Sequence, residues 1–208
     1  MSAPKTPPPR YLSTERLALE LFSRANPKHY EVMLGCINNE ISHASMSDYG
    51  IRTTQQFDRL NEATFLTYPV AFPQELSYIA SLKESPPTPV GAVTLAQRSR
   101  QFPPDIGWAI LPEFMGNGYA TEAAKEFLRW VTEDWRLEIC TWPDEGNRKS
   151  VRVAEKLGFV DGGVVRSLDE DALVKIWVLP GMKKVDADGV MSVSLWGEGK
   201  SKEDVIGK

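Results

Sequence analysis

The stretch from Phe114 to Ala124, "FMGNGYATEAA", places two glycines, Gly116 and Gly118, directly before a run of good helix formers. A Gly-x-Gly pair alone says little, because a chain of this length contains roughly one by chance. Before a helix, however, glycines let the backbone approach an anion, and the first N–H groups of the helix have no partner within it. The stretch therefore indicates either a phosphate-binding turn or an ordinary strand-to-helix turn.

The sequence on both sides of this stretch is clearly periodic. After the glycines, Tyr119 to Trp135 repeats apolar residues every three to four positions, which predicts an amphipathic helix. Before them, the strand-like runs are separated only by "SPPTP" and "QFPP"; they read "ELSYIASLKE", "VGAVTLAQR" and "DIGWAIL". Because these connections are short and rich in proline, they predict antiparallel neighbours.

The rest of the chain predicts one mixed α/β domain over residues 13–181. A first strand, "ERLALELF", precedes two helices, one opened by Asn26-Pro27 and one over Thr53–Ala63. After the long helix come a strand, a helix and two strands, which read "RLEICTW", "NRKSVRVAEKLG", "FVDGGVV" and "ALVKIWVL". We expect residues 1–12, which are rich in proline, to be a disordered lead-in. Residues 182–208 form an extension with one apolar piece, "VMSVSLW".

The composition argues against several classes of protein. The 208 residues suit one domain, and 42% hydrophobic with 25% charged residues is ordinary for a globular protein. A net charge of −4 argues against nucleic-acid binding, which needs a basic surface. Cys36 and Cys140 are too few for a disulfide framework and too far apart for a zinc motif. We find no bilayer-spanning run and no signal peptide, and therefore expect a cytoplasmic protein without a metal or membrane partner.

Two familiar nucleotide motifs do not fit the glycine pair. A P-loop requires Gly-x4-Gly-Lys-Ser/Thr, which this sequence lacks. A dinucleotide fingerprint requires a third glycine where Thr121 stands, and an acid that ends the next strand, whereas Glu138 comes near its start. The preceding antiparallel strands are also wrong for a βαβ unit. Neither class of site is therefore predicted.

The runs "DIGWAILPEFMGNGYATEAAKEFL" and "NRKSVRVAEKLGF" together resemble the GNAT superfamily of acyl-CoA-dependent N-acetyltransferases, in particular its branch of ribosomal-protein-alanine acetyltransferases. That superfamily holds the coenzyme A pyrophosphate with a Gln/Arg-x-x-Gly-x-Gly/Ala loop, whose last two fixed places match Gly118 and Ala120. Met115 departs from the pattern, since it stands where Gln or Arg is usual. The resemblance covers roughly Glu15 to Leu179 and implies a mixed, mostly antiparallel sheet of about seven strands, splayed between its fourth and fifth strands.

The resemblance also implies where acetyl-CoA would bind. Backbone groups of the fourth strand would hold the pantetheine arm and polarise the thioester carbonyl, and Asn147 would hydrogen-bond the pantetheine. Asn147 is equally a good helix N-cap, and the strand residues are equally ordinary packing residues. The expected coenzyme-binding residues are Trp108, Ala109, Ile110, Met115, Gly116, Asn117, Gly118, Tyr119, Ala120, Thr121, Asn147 and Ser150.

Two catalytic roles follow from the expected transfer of acetyl to an amine. Many relatives carry a tyrosine acid where Ala154 stands, so that Ser150 remains the candidate for protonating the departing thiolate. An amine must also lose a proton, which suits a carboxylate. Asp105 is the preferred base, with Glu138 and Glu40 as alternatives, although each is as often a solvated acid.

The acceptor is predicted only as a primary amine of a small molecule or peptide, and the protein as a monomer or homodimer. The acceptor would contact the last strands and the segment from Tyr30 to Tyr68. The aromatics of that segment could line an apolar pocket or simply pack; they are Tyr49, Phe57, Phe65 and Tyr68. A different class of function stays open: a GNAT-like module that binds coenzyme A or a partner protein without catalysis. Met115 and Ala154 support that alternative, and turnover of acetyl-CoA distinguishes it from an enzyme.

Overall fold

The computed structural model describes residues 6–186 and 190–207. In this part of the chain, nine strands form one mixed sheet in the order β1-β2-β3-β4-β5-β6-β8-β7-β9. The strands are β1 (Tyr11–Ser13), β2 (Leu17–Leu21), β3 (Leu76–Leu82), β4 (Thr88–Ala96), β5 (Asp105–Ile110), β6 (Cys140–Thr141), β7 (Val160–Ser167), β8 (Ala172–Val178) and β9 (Ser192–Val193). The helices are α1 (Pro27–Ile37), α2 (Glu40–Met46), α3 (Thr54–Ala63), α4 (Tyr119–Glu133), α5 (Arg148–Lys156) and α6 (Lys202–Ile206).

The helices begin where their capping residues predict. Asn26 caps α1 and is followed by Pro27 in the first turn, which needs no N–H donor there. Thr53 caps α3 and forms a capping box with Gln56. The buried side of α4 includes Ala124, Phe127 and Val131, as its periodicity predicts. The short helix α2 was not predicted, since its seven residues carry too little periodicity.

The helices cover both faces of the sheet. One buried cluster packs α4 against the centre of the sheet and includes Phe127, Trp130, Tyr78, Val93 and Ile106. A second cluster joins α1, α3 and the C-terminal segment on the other side; it includes Met33, Phe57, Ile79, Trp196 and Ile206. The structure is therefore a mixed α/β fold, as the sequence predicts, and the described residues form nine strands where about seven were expected.

The sequence-based boundaries are wrong at the N-terminus. Tyr11–Ser13 forms strand β1, which pairs antiparallel with β2, and Leu12 is buried. Trp135 donates its indole N–H to the carbonyl of Thr6, and Tyr78 donates its hydroxyl to that of Pro9. A proline-rich segment without periodicity can still be ordered, because buried side chains elsewhere supply its hydrogen bonds. Residues 1–5 of the expected disordered lead-in lie outside the described residues.

The C-terminal extension also packs onto the domain. Strand β9 pairs with β7, and Trp196 and Val205 are buried. Gln56 on α3 donates its side-chain amide to the carbonyl of Ile206. Residues 190–207 thus share the core with residues 13–181 in the structure, whereas 187–189 lie outside the described part.

The sheet opens between β5 and β6. The two strands run parallel and meet at a single register pair, Asp105 with Cys140. The expected strand "RLEICTW" is shorter than predicted, because only Cys140–Thr141 joins the ladder. On its other side, β6 pairs antiparallel with β8. A gap therefore separates the C-terminal part of β5, which stays paired with β4, from β6, as the resemblance predicted.

Candidate active site

The glycine loop presents backbone donors to solvent. Gly118 caps α4 in a left-handed conformation, with φ 81°, and Gly116 has φ 85°. Within the described residues, no acceptor in the protein is recorded for the N–H groups of the loop and first helical turn, which belong to Gly116, Asn117, Gly118, Tyr119, Ala120 and Thr121. Met115 differs, since its N–H donates to the carbonyl of Pro112 at 3.3 Å. The N–H of Met115 is therefore already engaged within the protein.

The space in front of this loop fits an anion. A Cβ atom added at Gly116 would meet nothing within 4 Å, and one at Gly118 would have only Nη2 of Arg16 nearby, at 3.6 Å. Unpaired N–H groups at a helix start favour negative charge, both through hydrogen bonds and through the helix dipole. The residues present therefore fit the pyrophosphate of coenzyme A, which the loop's Gly118 and Ala120 predicted.

Arg16 and Glu122 hold the loop in place, and the sequence did not reveal this connection. Arg16 donates through Nη1 to the carbonyl of Asn117 at 3.1 Å, and its guanidinium pairs with Glu122 at 2.6 Å. The Asn117 side chain donates to the carbonyl of Phe114 at 3.1 Å. Arg16 also lies over the ring of Tyr119, at 4.7 Å from its centroid. The chain from β1 to β2 thus fixes the conformation of a loop about a hundred residues away.

The environment of Glu122 keeps its carboxylate charged. Burial alone would raise the pKa of Glu122, but hydrogen bonds from the Thr14 hydroxyl and from Arg16 outweigh burial and lower it. From the sequence alone, Glu122 is an acid in the first turn of α4, where the helix dipole favours negative charge. Its partners come from another part of the chain, so that no local signal could have found them.

Peptide groups of β5 face the gap beside β6. The N–H of Leu111 donates to the carbonyl of Val90, on the side of β4. The carbonyl of Ile106 accepts from the Thr141 hydroxyl, on the opposite side. Because peptide directions alternate along a strand, the N–H groups of Trp108 and Ile110 point into the gap. These are the backbone donors predicted to bind an acyl-pantetheine arm.

Ser150 lies at the edge of the same gap. The indole N–H of Trp108 donates to Oγ of Ser150 at 3.0 Å, which connects β5 to α5 across the opening. The side chain of Asn147 accepts from the N–H of Ser150 at 3.1 Å and so caps α5. Ala154, where many relatives carry a tyrosine, is fully buried. Of the two functions weighed for Asn147, the structure shows the cap.

Asp105 does not fit its expected role as a base. Its carboxylate forms an ion pair with Arg98, and the two side chains are only 10% and 16% exposed. The Asp105 carboxylate is therefore already engaged by a guanidinium in a largely buried ion pair. The alternatives Glu138 and Glu40 are exposed on the surface. Asp105 therefore lies in an ion pair where β5 meets β6. Its carboxylate is not free at the predicted site.

A cavity of about 200 Å³ lies on the other face of β5, against α1 and α3. Its walls are mostly apolar and include Met33, Ile51, Phe57, Phe65 and Leu195. Its floor is made by small residues of β4 and β5, namely Ala92, Gly107 and Ala109. The cavity therefore reaches the strand that borders the gap, and it lies within the segment where the acceptor was expected. The wall contributed by Leu195, beyond the expected domain end, was not predicted.

The two cysteines are unsuited to nucleophilic catalysis. Burial, with a smaller contribution from Glu113, raises the pKa of Cys36 to about 12. Burial also raises the pKa of Cys140, although Arg98 opposes the shift. A thiol must become a thiolate to attack an acyl group. Both side chains are thus structural, and the Cys36 thiol donates to the carbonyl of Ala109 at 3.7 Å.

Across 6–186 and 190–207, histidine, cysteine, aspartate and glutamate side chains do not cluster in threes as a metal site would require. In the same ranges, the structure contains no helix with the length and apolar character to traverse a bilayer.

Comparisons with known proteins agree with the geometry. Residues 19–160 match the family model described as "Acetyltransferase (GNAT) domain". An acetyltransferase of Agrobacterium tumefaciens superimposes with a TM-score of 0.62 at 20% identity, over 85% of this chain and 98% of that one. A spermidine N-acetyltransferase chimera of Vibrio cholerae SpeG with hSSAT gives 0.59 at 18% identity, over 78% and 94%. AAC(6')-Ib, solved with Parmomycin and AcetylCoA, gives 0.58 at 18%, over 79% and 93%. No curated protein sequence matches the chain.

Proposed function

This chain belongs to the GNAT acetyltransferase family, and from that premise we propose that it moves an acetyl group from acetyl-CoA directly to a primary amine of a small molecule or peptide. One observation carries the proposal. The gap between β5 and β6 lies between the glycine loop and the apolar cavity, so that a coenzyme and an acceptor could meet there from opposite faces of the sheet. A direct transfer needs that meeting and needs no covalent enzyme intermediate.

The coenzyme side would act mainly through backbone groups. The N–H groups from Gly116 to Thr121 would hold the pyrophosphate at the start of α4. The N–H groups of Trp108 and Ile110 would bind the pantetheine arm and polarise the thioester carbonyl. Acetyl-CoA supplies the activated acetyl group as a thioester. The position of Asn147 at the same opening is compatible with a contact to the arm in addition to its cap.

Ser150 would supply the proton that the departing sulfur needs. The amine nitrogen forms the new C–N bond with its lone pair while the C–S bond breaks, and the sulfur leaves with the bonding electrons. The Ser150 hydroxyl then donates its proton to that sulfur and recovers one from water, as the nitrogen releases its own proton to water. Because Trp108 donates to Oγ, the hydroxyl hydrogen of Ser150 is free to point elsewhere.

The decisive experiment measures free thiol released from acetyl-CoA in the presence of amines. The proposal expects amine-dependent thiol release that saturates with both substrates, together with a product acetylated on nitrogen. A protein that binds acetyl-CoA saturably but releases no thiol with any amine would be the non-catalytic module. That result would overturn the proposed transfer.

A further inference from the structure

The C-terminal segment, residues 190–207, forms part of the cavity between β5 and helices α1 and α3. Leu195 lines that cavity and packs against the buried cluster that includes Phe57. Tyr49 is another lining residue, and its ring meets the ring of Trp196 edge-on, with 6.4 Å between the centroids. Trp196 is itself only 4% exposed. The segment therefore supplies one wall of the cavity and packs against the side chain that supplies another.

An acidic side chain in the turn between β7 and β8 holds the backbone at Leu195. Asp169 accepts from the N–H of Leu195 through Oδ2 at 2.7 Å, and from the hydroxyl of Ser194 through Oδ1 at 3.0 Å. Both oxygens of one carboxylate thus bind two neighbouring residues. Hydrogen bonds to a charged acceptor are stronger than those between neutral groups. Asp169 therefore fixes the position of the residue whose side chain lines the cavity.

The rest of the segment is anchored along α3. Gly197 has φ 96°, and a Cβ atom there would lie 2.6 Å from the carbonyl oxygen of Ala63, the last residue of α3. Near the start of α3, the side-chain amide of Gln56 donates to the carbonyl of Ile206 at 3.3 Å. Ile206 is also buried. Because contacts hold the segment at both ends of α3, the wall at Leu195 is a fixed part of the cavity.

The match to the GNAT family does not account for this wall, because the family model ends at residue 160. Leu195 nevertheless shares the cavity with Ala109 of β5, the strand that borders the gap. We infer that Leu195 limits the length of the apolar chain that an acceptor amine can carry, and that Asp169 positions Leu195. The inference rests on the proposed function, because it places the acceptor in this cavity. Burying an apolar chain there is favourable until the chain outgrows the cavity, and the wall at Leu195 sets that limit.

The test is the ratio of kcat/KM for hexylamine to that for propylamine, measured as thiol released from acetyl-CoA. The two amines differ only in the length of an apolar chain, so that their ratio reports the space available to it. Leu195→Ala enlarges the cavity and should raise the ratio about fivefold or more, whereas Leu195→Trp fills the cavity and should lower the ratio by a similar factor. Opposite changes at one position cannot arise from damaged folding. The Kd for acetyl-CoA should stay the same in both variants, because the coenzyme binds at the glycine loop.

Val205→Ala is the matched control for a weakened segment. Val205 is 3% exposed and, in the described part of the chain, does not line the cavity. This variant should melt earlier and keep the unmodified ratio. Asp169→Ala should raise the ratio by less than Leu195→Ala does, because it releases the wall without removing its side chain. Asp169→Asn keeps an oxygen that accepts from the N–H of Leu195, and should restore most of the unmodified ratio.

The outcomes separate this inference from the proposed function. An equal ratio in the unmodified protein and in both Leu195 variants would overturn the inference and leave the acetyltransferase intact. Thiol release with spermidine but with neither alkylamine would do the same, because an apolar wall at the acceptor should accept an apolar chain. An unchanged ratio in Asp169→Ala would overturn its positioning role. Absence of thiol release with every amine would overturn the proposed function and, with it, the inference.

Discussion

The two candidate binding regions beside β5 are built by different means. On the α4 side, the donors are backbone N–H groups of one continuous loop, Gly116 to Thr121, with Trp108 and Ile110 on the strand. On the α1 side, the cavity is made by side chains drawn from α1, α3, β4, β5 and the C-terminal segment. Backbone recognition leaves a local mark in the sequence, because it requires glycine at positions of positive φ. Side-chain recognition leaves none until the fold is known.

The largest effect should come from breaking the backbone side at Gly118. In Gly118→Val, a β-branched side chain would occupy the open space before the loop and would also strain a residue with φ 81°. Saturating acetyl-CoA at a hundredfold excess over Kd stabilises the unmodified protein by about 2.7 kcal/mol. We expect the variant to lose most of the resulting rise in melting temperature.

Gly158→Val is the matched control for backbone strain. Gly158 has φ 87° and nothing within 4 Å of an added Cβ, but it follows α5, away from the glycine loop. Both variants should melt earlier without ligand, while only Gly118→Val should lose the ligand-dependent rise. If Gly118→Val retains the full rise with unchanged affinity, the loop is an ordinary turn.

A smaller effect is expected from Ser150→Ala, which tests the chemistry between the two faces. The change removes the hydroxyl but keeps the backbone N–H that donates to Asn147, so that the cap of α5 remains. We expect kcat to fall by up to about 10²-fold, with little change in the Kd for acetyl-CoA. Pre-steady-state kinetics would establish that chemistry limits the rate.

Trp108→Phe should lower kcat by less than Ser150→Ala does, because it removes only the indole donor to Ser150.

An undiminished kcat in Ser150→Ala, under conditions where chemistry limits the rate, would reduce Ser150 to a residue of the helix start. An equal loss of acetyl-CoA affinity and kcat would instead place Ser150 among the binding groups.

The smallest effect is expected from Glu122, whose carboxylate pairs with Arg16 beside the glycine loop. Because the pKa of Glu122 is lowered by Thr14 and Arg16, despite burial, its contribution to stability is present above the unfolded value near 4.5. That contribution is lost as the pH falls through the lower folded pKa. Glu122→Gln should therefore melt a few degrees below the unmodified protein at pH 7. The difference should shrink toward pH 3, as measured by thermal unfolding at constant ionic strength. A difference in melting temperature that does not change with pH would contradict a stabilising role for the charged Glu122 carboxylate.

Most of the fold could be predicted from the sequence, because its elements are marked locally. Asn26 and Thr53 cap their helices, and the apolar stripe of α4 gives its buried side. Strand β1 could not be predicted, since its order depends on pairing with β2 and on hydrogen bonds from Tyr78 and Trp135. Likewise, β6 is shorter than its apolar sequence suggests, because its register with β5 ends after one pair.

The sequence by itself determined the family, the order of the main elements and the glycine loop, because each depends on residues that are close together in the chain. Only the tertiary structure decided that Asp105 is held by Arg98, that Arg16 fixes the loop through Asn117, and that Trp108 contacts Ser150. It also decided the apolar cavity between β5 and helices α1 and α3. These features join side chains from separate elements, and the distance and burial that give them their chemistry exist only after the sheet has formed.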